Sequence, residues 1–511
     1  MVKKMHVVIV GAGINGLVAA NYLRRSGCRV TMIERAARVG GACVPATAEI
    51  DGVRQDYAHG ASVLGLMQDF VFEETGLAAR LQTFAPTHPK LIHFPGHDEP
   101  IWIWREPERL DREFEAKFGE RGDAVAFRAD EARVVDFLQR GYREARPPTV
   151  ADAEAALGAQ LTRRWITGSA RDLLEHYFTS EGARVYMAMT VTESGPVALS
   201  EPYSAFIVPM MDSGSVFGSY YGFVRGGIWQ IPIELDRINR ELGVDVHLHC
   251  LVREIDTRAR QVSFEENGKV TRIGYDHLVM ATDTVTAARL AGTPELARRT
   301  GEQRLLGSAG KVTMMFRQPV RWKHGSAQPD SDTAFRFLFS ETSLAGFEAA
   351  AADVTQGTSY HPGYAQIYCE GAAMRQMGLR EPFDRLSVFF NFLALDRPGA
   401  EWPQVEAQVR QAVLNLISNP QDCVWTRLLT PRDLQETFLF PGGNLDHTML
   451  VAGQTYFDRG YSSDPETRFY RLGGEDRVHV CGAGTYPCGS VAGTPGYMCA
   501  RQLLRTGTSS E

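Results

Sequence analysis

The sequence of 511 residues contains no apolar run that approaches the roughly 20 residues of a membrane-spanning helix. It has no excess of basic residues, since 54 Lys and Arg stand against 61 Asp and Glu, a formal net charge of -7. That balance gives no general attraction to nucleic acid or to anionic lipid. A strand pattern begins directly after Met5, which leaves no room for a signal peptide. We therefore expect a cytoplasmic protein without a nucleic-acid partner.

The eight cysteines form neither a CxxC pair nor a Cys/His cluster at zinc spacing. In a chain of this length we expect reduced and mostly buried thiols. No metal site is predicted, because His247 and His249 alternate along a predicted strand without a partner at metal spacing. The apolar residues 205–211 include Pro209. We interpret them as core or pocket lining, with peripheral membrane contact as the alternative.

What the chain has in quantity is apolar surface and glycine. Hydrophobic residues make up 44% of it, and 49 residues are glycine. Such a chain can bury a large core and make many tight turns. At roughly 150 residues per domain, the length predicts two or three domains. No internal repeat is evident.

A nucleotide-binding signature opens the chain. His6–Val10 is an apolar, β-branched run, typical of a buried parallel strand, and a glycine-rich turn and a helical pattern follow it. Gly11 permits the tight turn, Gly13 lets a pyrophosphate approach the backbone, and Gly16 lets helix and strand pack closely. The helix N-terminus then offers unpaired N–H groups and a favourable dipole to phosphates.

An acidic residue closes the second predicted strand, 29–33. Glu34 lies 18 residues after Gly16, about where a carboxylate binds ribose hydroxyls. It disfavours a 2′-phosphate, which argues against NADP and leaves NAD and FAD. Arg35, Arg38 and the glycine pair 40–41 follow. They are typical of FAD enzymes of the glutathione-reductase structural type, in which the chain passes close to the ribityl–phosphate arm of the flavin.

The C-terminal end carries a second glycine-rich pattern. A predicted strand over 478–481 leads into Gly482 and Gly484, and a helix begins near Pro495 and continues to Leu504. Proline suits the first turn of a helix. Such a helix N-terminus could face the O2 and N1 edge of a flavin and stabilise the negative charge of the reduced ring.

These segments together resemble the phytoene desaturase-like flavoprotein family, which includes carotenoid desaturases and isomerases, retinol saturases and the pyridine nucleotide-disulfide oxidoreductase domain-containing protein 2 group. The matching pieces follow in order along almost the whole chain: the strand to Val10, 11–16, 34–41, 224–227, 251–255, 281–282, 442–444 and 481–496. The resemblance implies an α/β fold. Residues 1–85, 220–290 and 440–511 would form a Rossmann-like FAD-binding domain of glutathione-reductase type, and 86–219 and 291–439 an interleaved mixed-sheet and helical substrate domain.

The resemblance also implies the residues that contact FAD. Val252 would offer its backbone to the adenine, and Gly60 and Ala61 would pass near the isoalloxazine. The full implied set is Gly11, Gly13, Gly16, Glu34, Arg35, Arg38, Gly40, Gly41, Gly60, Ala61, Val252, Ala281, Thr282, Gly482, Gly484, Val491, Ala492 and Gly493. The chain departs from the family pattern near the ring, where Tyr486 replaces a common His and residues 488–490 replace a glycine-rich triplet.

Three residues are candidates for chemistry beside the flavin. His59 is the first candidate for a proton acceptor, because imidazole titrates near neutral pH; a structural role is the alternative. Tyr486 would orient substrate or carry a proton, or else only pack. Cys488 would tether the flavin or react with substrate, or else be a small buried thiol. Aromatic residues between 217 and 229 would line an apolar cavity or belong to the core.

We therefore expect an FAD-dependent dehydrogenase, desaturase or oxidase. It would oxidise a C–C or C–N bond of a small apolar or secondary-metabolite substrate. Dioxygen or a quinone would reoxidise the flavin, because no second nucleotide signature for NAD(P)H is visible. Two alternatives stay open: a non-redox isomerase or saturase that uses reduced flavin, and a flavin-bearing interaction protein without turnover. A homo-oligomer is compatible with the sequence.

Overall fold

The computed structural model describes residues 4–88, 90–119, 122–193, 198–301, 309–326, 328, 331–355, 364–391, 393–395, 401–445, 447, 460–462 and 467–507. The outer ends of the predicted FAD-binding segments, 1–3 and 508–511, lie outside the described residues.

The strands, in chain order, are β1 (His6–Val10), β2 (Arg29–Ile33), β3 (Pro45–Ile50), β4 (Val53–Ala58), β5 (Thr83–Phe84), β6 (Lys90–His93), β7 (Ile101–Ile103), β8 (Phe223–Val224), β9 (Asp245–His247), β10 (Leu251–Asp256), β11 (Gln261–Glu266), β12 (Lys269–Gly274), β13 (His277–Met280), β14 (Ala309–Phe316), β15 (Phe335–Phe339), β16 (Tyr364–Tyr368), β17 (Asp384–Asn391), β18 (Cys423–Leu429) and β19 (Val478–Val480).

The α-helices, in the same order, are α1 (Ile14–Arg25), α2 (Asp69–Glu74), α3 (Pro107–Phe118), α4 (Ala124–Arg143), α5 (Val150–Leu157), α6 (Ala159–Thr162), α7 (Ala170–Tyr177), α8 (Glu181–Thr192), α9 (Ile207–Met211), α10 (Gln230–Glu241), α11 (Thr284–Leu290), α12 (Pro294–Gly301), α13 (Leu344–Thr355), α14 (Glu370–Gln376), α15 (Trp402–Leu414), α16 (Pro431–Phe438) and α17 (Thr494–Gly507).

A five-stranded parallel sheet, with the order β19-β13-β1-β2-β9, has β1 at its centre. Alternate residues of β1 face two different cores. Val7 and Ile9 pack with α1, whereas Val8 and Val10 pack with the three-stranded antiparallel sheet β10-β11-β12. Burial on both faces explains why β1 is an unbroken apolar run. The neighbours of β1 lead away in opposite directions, and in α/β sheets ligands bind at the crevice that such a switch opens.

The predicted strand that carries both His247 and His249 is in fact two strands. β9 ends at His247 and lies in the parallel sheet beside β2, whereas β10 begins at Leu251 and pairs with β11. His249, between them, has a φ of 57°, in the left-handed region, and this reverses the chain. A tight hairpin follows β11. Asn267 and Gly268 join β11 to β12, with φ values of 51° and 75° that suit a two-residue turn.

A second sheet has seven strands in the order β18-β14-β17-β16-β15-β6-β7. Its pairs are antiparallel except β6 with β15. β6 and β7 come from the chain between β2 and β9, and the other strands from the chain between β13 and β19. The two large sheets are therefore interleaved along the sequence, in an α/β fold with mixed sheets.

The predictions about burial are confirmed. The apolar run 205–211 belongs to the core, and the α9 residues in it are no more than 4% exposed, apart from Pro209 which is also buried. The eight cysteines are free thiols, seven of them buried. In the part of the chain that the structure describes, no helix has the length and apolar composition needed to cross a membrane.

Candidate active site

The carboxyl ends of β1, β13 and β19 meet in direct backbone contact. The N–H of Ala281 donates to the carbonyl of Val10 at 2.8 Å. A Cβ added to Gly11 would lie 3.1 Å from the Ala281 oxygen, and one added to Gly482 would lie 1.9 Å from the Thr282 oxygen. The structure thus brings Gly11, Ala281, Thr282 and Gly482 together. Glycine is needed at positions 11 and 482 because a side chain at either position would collide with the backbone of the neighbouring segment.

The first turn of α1 fits a diphosphate. Its N-cap, Gly13, has no side chain to cap the helix, and the first intrahelical bond runs from the Leu17 N–H to the Gly13 carbonyl at 3.0 Å. The N–H groups before Leu17 therefore have no partner within the helix. A Cβ on Gly13 would have only the Gly41 Cα near it, at 4.0 Å, whereas one on Gly16 would lie 2.2 Å from the Gly11 oxygen. Gly16 thus serves packing, and Gly13 faces space that an anion can enter.

Glu34 is fixed beside this turn. One carboxylate oxygen accepts the Ala12 N–H at 2.8 Å, and the other accepts the Ala36 N–H at 2.7 Å. Each carboxylate oxygen has a second lone pair, so both bonds are compatible with ribose hydroxyls as further donors. The carboxylate is therefore held in place by backbone N–H groups before any ligand binds.

The glycine pair 40–41 returns to the same turn. Gly40 forms a bridge with Gly13 and donates its N–H to the Ala12 carbonyl at 2.8 Å. Gly40 and Gly41 both have positive φ, 125° and 60°. A side chain would be strained at either position. The two predicted basic contacts, Arg35 and Arg38, are exposed, and Arg35 donates to the Thr437 carbonyl at 3.2 Å.

Val252 is the second residue of β10, in the three-stranded sheet, and is 9% exposed. Two residues before it, the Cys250 N–H donates to the Glu34 carbonyl at 2.8 Å. This bond ties the start of β10 to the end of β2, so Val252 and Glu34 lie on adjoining segments.

A buried lysine that sequence reasoning missed contacts residues 58–62, here called the Gly60 segment. The ammonium of Lys311 on β14 donates to the carbonyls of Ala58 and Gly60, the latter at 2.9 Å, and lies 3.3 Å from the Ser62 hydroxyl. Burial lowers the pKa of Lys311 to about 8, although the nearby Glu370 opposes this. A buried charge is costly unless it is hydrogen-bonded, so this arrangement has to be held by its surroundings.

The sequence does contain a feature that singles out Lys311. It stands in a strand whose eight residues are all buried, where a lone lysine is unusual. The Gly60 segment itself rests on the chain after the glycine pair. The Ala61 N–H donates to the Ala42 carbonyl at 3.4 Å, and a Cβ on Gly60 would lie 2.5 Å from that same oxygen.

His59 lies next to this lysine and is not a near-neutral base. Burial, and then the positive charges of Lys311 and Arg427, lower the pKa of His59 to about 4. Its ring packs 5.1 Å from that of Phe438. The near-neutral titration expected from the sequence did not account for these neighbours. At neutral pH the imidazole is uncharged.

The C-terminal motif packs onto the first turn of α1. A Cβ on Gly496 in α17 would lie 2.0 Å from the Asn15 oxygen. A Cβ on Gly493, which has a φ of 69°, would lie 2.9 Å from the Val18 side chain. The N-termini of α1 and α17 therefore adjoin. Gly484 lies in the preceding loop, where its carbonyl accepts the Tyr461 hydroxyl at 2.7 Å.

Backbone strain is concentrated in the same motif. Ser490 and Val491 have consecutive positive φ values of 59° and 61°. For a β-branched residue such as Val491 this is a true outlier, costing on the order of 1–3 kcal/mol. Ala492, next to it, is 2% exposed. Strain of this kind persists where the surrounding structure holds it, and it clusters at functional sites.

Tyr486 and Cys488 are both buried, 1% and 3% exposed. The Tyr486 ring lies 5.9 Å from that of Tyr142 and 5.4 Å from that of Phe469. Its carbonyl accepts the Tyr470 hydroxyl at 2.9 Å. Tyr486 is thus part of an aromatic cluster within the core.

A polar face on β16 lies opposite the end of α8. Tyr364, Gln366 and Tyr368 alternate along the strand, and the Tyr368 hydroxyl donates to the Gln366 amide oxygen at 2.8 Å. The Gln366 amide nitrogen donates to Glu193 at 2.8 Å. Residues 365 and 367 point into the core of the other side of the sheet.

Tyr221 faces the same region. Its hydroxyl is buried without a hydrogen-bond partner among the described residues. Burial first, and then the charges of Glu193 and Asp212, raise the pKa of Tyr221; Tyr368 and Cys488 contribute in the same direction. The predicted aromatic lining is thus divided. Phe217, Tyr220 and Tyr221 are partly exposed. Phe223 and Trp229 are buried in the core.

A charged cluster that includes Asp212 lies near Tyr221. The Arg128 guanidinium on α4 donates to Glu131 and approaches Asp212 at 3.5 Å. Burial raises the pKa of Glu131 to about 8, although Arg128 opposes the shift. Burying such charged side chains costs free energy unless polar partners surround them, so this region is not a purely hydrocarbon cavity.

Comparison with known proteins links this geometry to flavoenzymes. Residues 14–365 match the family described as flavin containing amine oxidoreductase. The chain is 22% identical to rat pyridine nucleotide-disulfide oxidoreductase domain-containing protein 2 over 98% of the chain and 93% of that protein. It is 26% identical to a 4,4'-diapophytoene desaturase of Staphylococcus haemolyticus over 55% of each.

Among solved structures, cyclohexylamine oxidase from Brevibacterium oxydans superposes with a TM-score of 0.58 at 16% identity, covering 99% of this chain and 98% of that one. At that identity the likeness shows a shared fold. The family match covers well over half of the chain, and the glycine turn, the uncapped α1 and the fixed Glu34 carboxylate fit an adenine dinucleotide. The chain belongs to the flavin containing amine oxidoreductase family and is an FAD-dependent oxidoreductase.

Proposed function

We propose that the protein dehydrogenates a C–C or C–N bond of a small secondary-metabolite substrate whose reacting part is apolar. The observation that carries this is the meeting of the glycine turn, the Gly60 segment and the C-terminal motif, with the Lys311 ammonium bonded to the carbonyl of Gly60. Bound FAD supplies the two-electron oxidation. Desaturase and amine oxidase relatives support the two bond types.

We further propose that the five-stranded sheet and the three-stranded sheet belong to a Rossmann-like FAD-binding domain of glutathione-reductase type. This domain would comprise 1–85, 220–290 and 440–511, and the substrate domain would comprise 86–219 and 291–439. The parallel order around β1 and the crevice at its carboxyl end support this division. The seven-stranded sheet lies entirely within the proposed substrate segments.

The residues of the chain would divide the work as follows. The N–H groups of α1 would bind the diphosphate, and Glu34 would bind a ribose. The N-terminus of α17 would face the part of the ring where negative charge develops. Lys311 would hold a proton close to the reacting atoms, because its lowered pKa allows it to exchange one near neutral pH.

Substrate would lie between the flavin-binding segments and the polar face of β16. Tyr368 and Tyr221 would orient it there through their hydroxyl groups. His59 would contribute through packing and an uncharged nitrogen, since its pKa is too low for an efficient base at neutral pH. The buried Tyr486 and Cys488 would shape the wall beside the ring.

We propose that dioxygen or a quinone reoxidises the reduced flavin. The sequence shows no second nucleotide signature beside the one at residues 11–16. The eight free thiols favour work in a reducing compartment, and we propose the cytoplasm.

The test is anaerobic bleaching of the flavin. Purified protein would be mixed, without oxygen, with a panel of small amines and polyenes, and the loss of the oxidised-flavin absorbance followed. We expect one class to bleach it and air or a quinone to restore it, with an oxidised product found by mass spectrometry. Turnover that needs prior reduction and yields an isomer or a saturated product would contradict dehydrogenation, as would a flavin that no substrate class reduces.

A further inference from the structure

Three metal-binding donor types converge at the turn between β9 and β10. An imidazole nitrogen of His247, the thiol sulfur of Cys250 and a carboxylate oxygen of Glu266 all lie within 4.8 Å of one another. The spacing along the sequence predicted no metal site, because Glu266 comes from the end of β11, 16 residues beyond Cys250.

The backbone holds these donors in place independently of any ion. His249 reverses the chain in the left-handed region, and its N–H donates to the Ala36 carbonyl at 3.1 Å. The next N–H, that of Cys250, donates to the Glu34 carbonyl at 2.8 Å. β10 then pairs with β11, which brings Glu266 back beside the turn. The donors therefore come from elements that the sheets already fix relative to one another.

The imidazole is also oriented as a metal ligand needs to be. Its Nε2 lies 3.1 Å from a carboxylate oxygen of Asp245, while its Nδ1 lies 3.2 Å from Glu266. Histidines that bind metals usually present the second nitrogen to a carboxylate or carbonyl, which sets the tautomer and the ring angle. In this cluster, Asp245 can take that role while Nδ1 faces the ion.

The accessibility of the cluster suits a cation that enters from solvent. The Cys250 side chain is buried, but the side chains of His247 and Glu266 are 28% and 35% exposed. One imidazole, one thiolate and one carboxylate are a ligand set that zinc accepts in tetrahedral geometry, with the fourth position left to water.

We propose that His247, Cys250 and Glu266 form a zinc site and that Asp245 positions its histidine. The ion would clip the β9–β10 turn to the end of β11. Because the same turn is hydrogen-bonded to Glu34 and Ala36, the clip would stiffen the segment that we propose to hold the cofactor ribose.

The experiment uses the flavin-loaded protein, treated with a chelator, titrated with zinc chloride and desalted. Metal per chain is measured by mass spectrometry and the melting temperature by scanning calorimetry. We expect the wild type to retain about one zinc ion and to melt at a higher temperature with it. Cys250→Ser and Glu266→Gln should bind zinc at least roughly 10-fold more weakly, and Asp245→Asn roughly 10- to 100-fold more weakly.

The matched control is Cys423→Ser, which removes a partly exposed thiol on β18 and should leave zinc binding unchanged. Cobalt in place of zinc should add a thiolate charge-transfer band to the difference spectrum of the wild type and not of Cys250→Ser. Flavin content without zinc reports whether each variant is folded, and Glu266→Gln serves if Cys250→Ser is not. The proposal is overturned if the wild type retains no zinc, or if Cys250→Ser and Glu266→Gln both retain it as the wild type does. None of these readouts depends on turnover.

Discussion

Substituting Gly13 and Gly16 separately should distinguish cofactor binding from folding. A Cβ at Gly13 meets nothing closer than the Gly41 Cα at 4.0 Å, and its φ of -70° is ordinary for alanine. We expect Gly13→Ala to change the free energy of unfolding of the apoprotein by less than about 1 kcal/mol. The same Cβ would occupy the approach to the uncapped turn of α1 and displace the diphosphate.

The loss can be sized from the bonds involved. If two charge-assisted N–H bonds to phosphate are lost, at about 1.5–3 kcal/mol each, the Kd for FAD rises roughly 10²- to 10⁴-fold. Gly16→Ala should instead impair folding, since its Cβ would lie 2.2 Å from the Gly11 oxygen.

The assay is FAD binding to apoprotein, followed by quenching of flavin fluorescence, together with thermal unfolding of both apoproteins. A folded Gly13→Ala variant that binds FAD as tightly as the wild type would refute the placement of the diphosphate at this turn. Equal folding defects in the two variants would refute the distinction drawn between the two glycines.

Lys311→Met should remove an ionisation near pH 8 from the rate of anaerobic flavin reduction, because burial lowers the pKa of this lysine to about 8; a profile identical to the wild type would contradict its role. Glu34→Gln should weaken FAD binding by roughly 10- to 100-fold in equilibrium titrations, since it removes the charge that accepts two N–H groups. Tyr221→Phe should leave the melting temperature unchanged or higher and raise KM more than it lowers kcat, because the buried hydroxyl has no partner among the described residues. His277 and His479 form a buried pair, with Nδ1 of His277 3.1 Å from Nε2 of His479. Burial is the main cause that lowers their pKa values, to about 4 for His277 and about 3 for His479. The unfolded state therefore takes up protons first, and denaturant titrations should show stability falling as pH drops from about 6.5 towards 4, by about 2 kcal/mol per histidine at pH 5; His479→Gln should flatten that slope.

The glycine turn at the start of the chain was predictable because its sequence pattern is local. Gly11, Gly13 and Gly16 lie within one strand–turn–helix unit, even though Gly11 also meets the distant Ala281, and Glu34 follows at the next strand end. A pattern of that kind can be interpreted within forty residues. The strand and glycine loop near the C-terminus were predictable for the same reason, since Gly482 comes two residues after the end of β19.

The rest depends on pairings between distant segments. β14 pairs with β17 and β18, so the role of Lys311 depends on strands and loops far from it in sequence. The break between β9 and β10 has a similar cause. The turn at His249 is held by carbonyls of residues 34 and 36, which no local pattern around 246–255 contains.

A sequence relative and a structural neighbour of this chain act, by their names, on substrates as unlike as 4,4'-diapophytoene and cyclohexylamine. Under the function that we propose, the choice of substrate would therefore fall to the layer between β16 and the helices rather than to the flavin end of the chain. In this chain that layer presents Tyr368, Gln366 and Glu193 in one hydrogen-bonded row. Although its members bond to one another, a row that includes a carboxyl group and a tyrosine hydroxyl is costly to bury against pure hydrocarbon. The physical expectation is a substrate with an apolar carbon at the ring and a polar group that reaches this row.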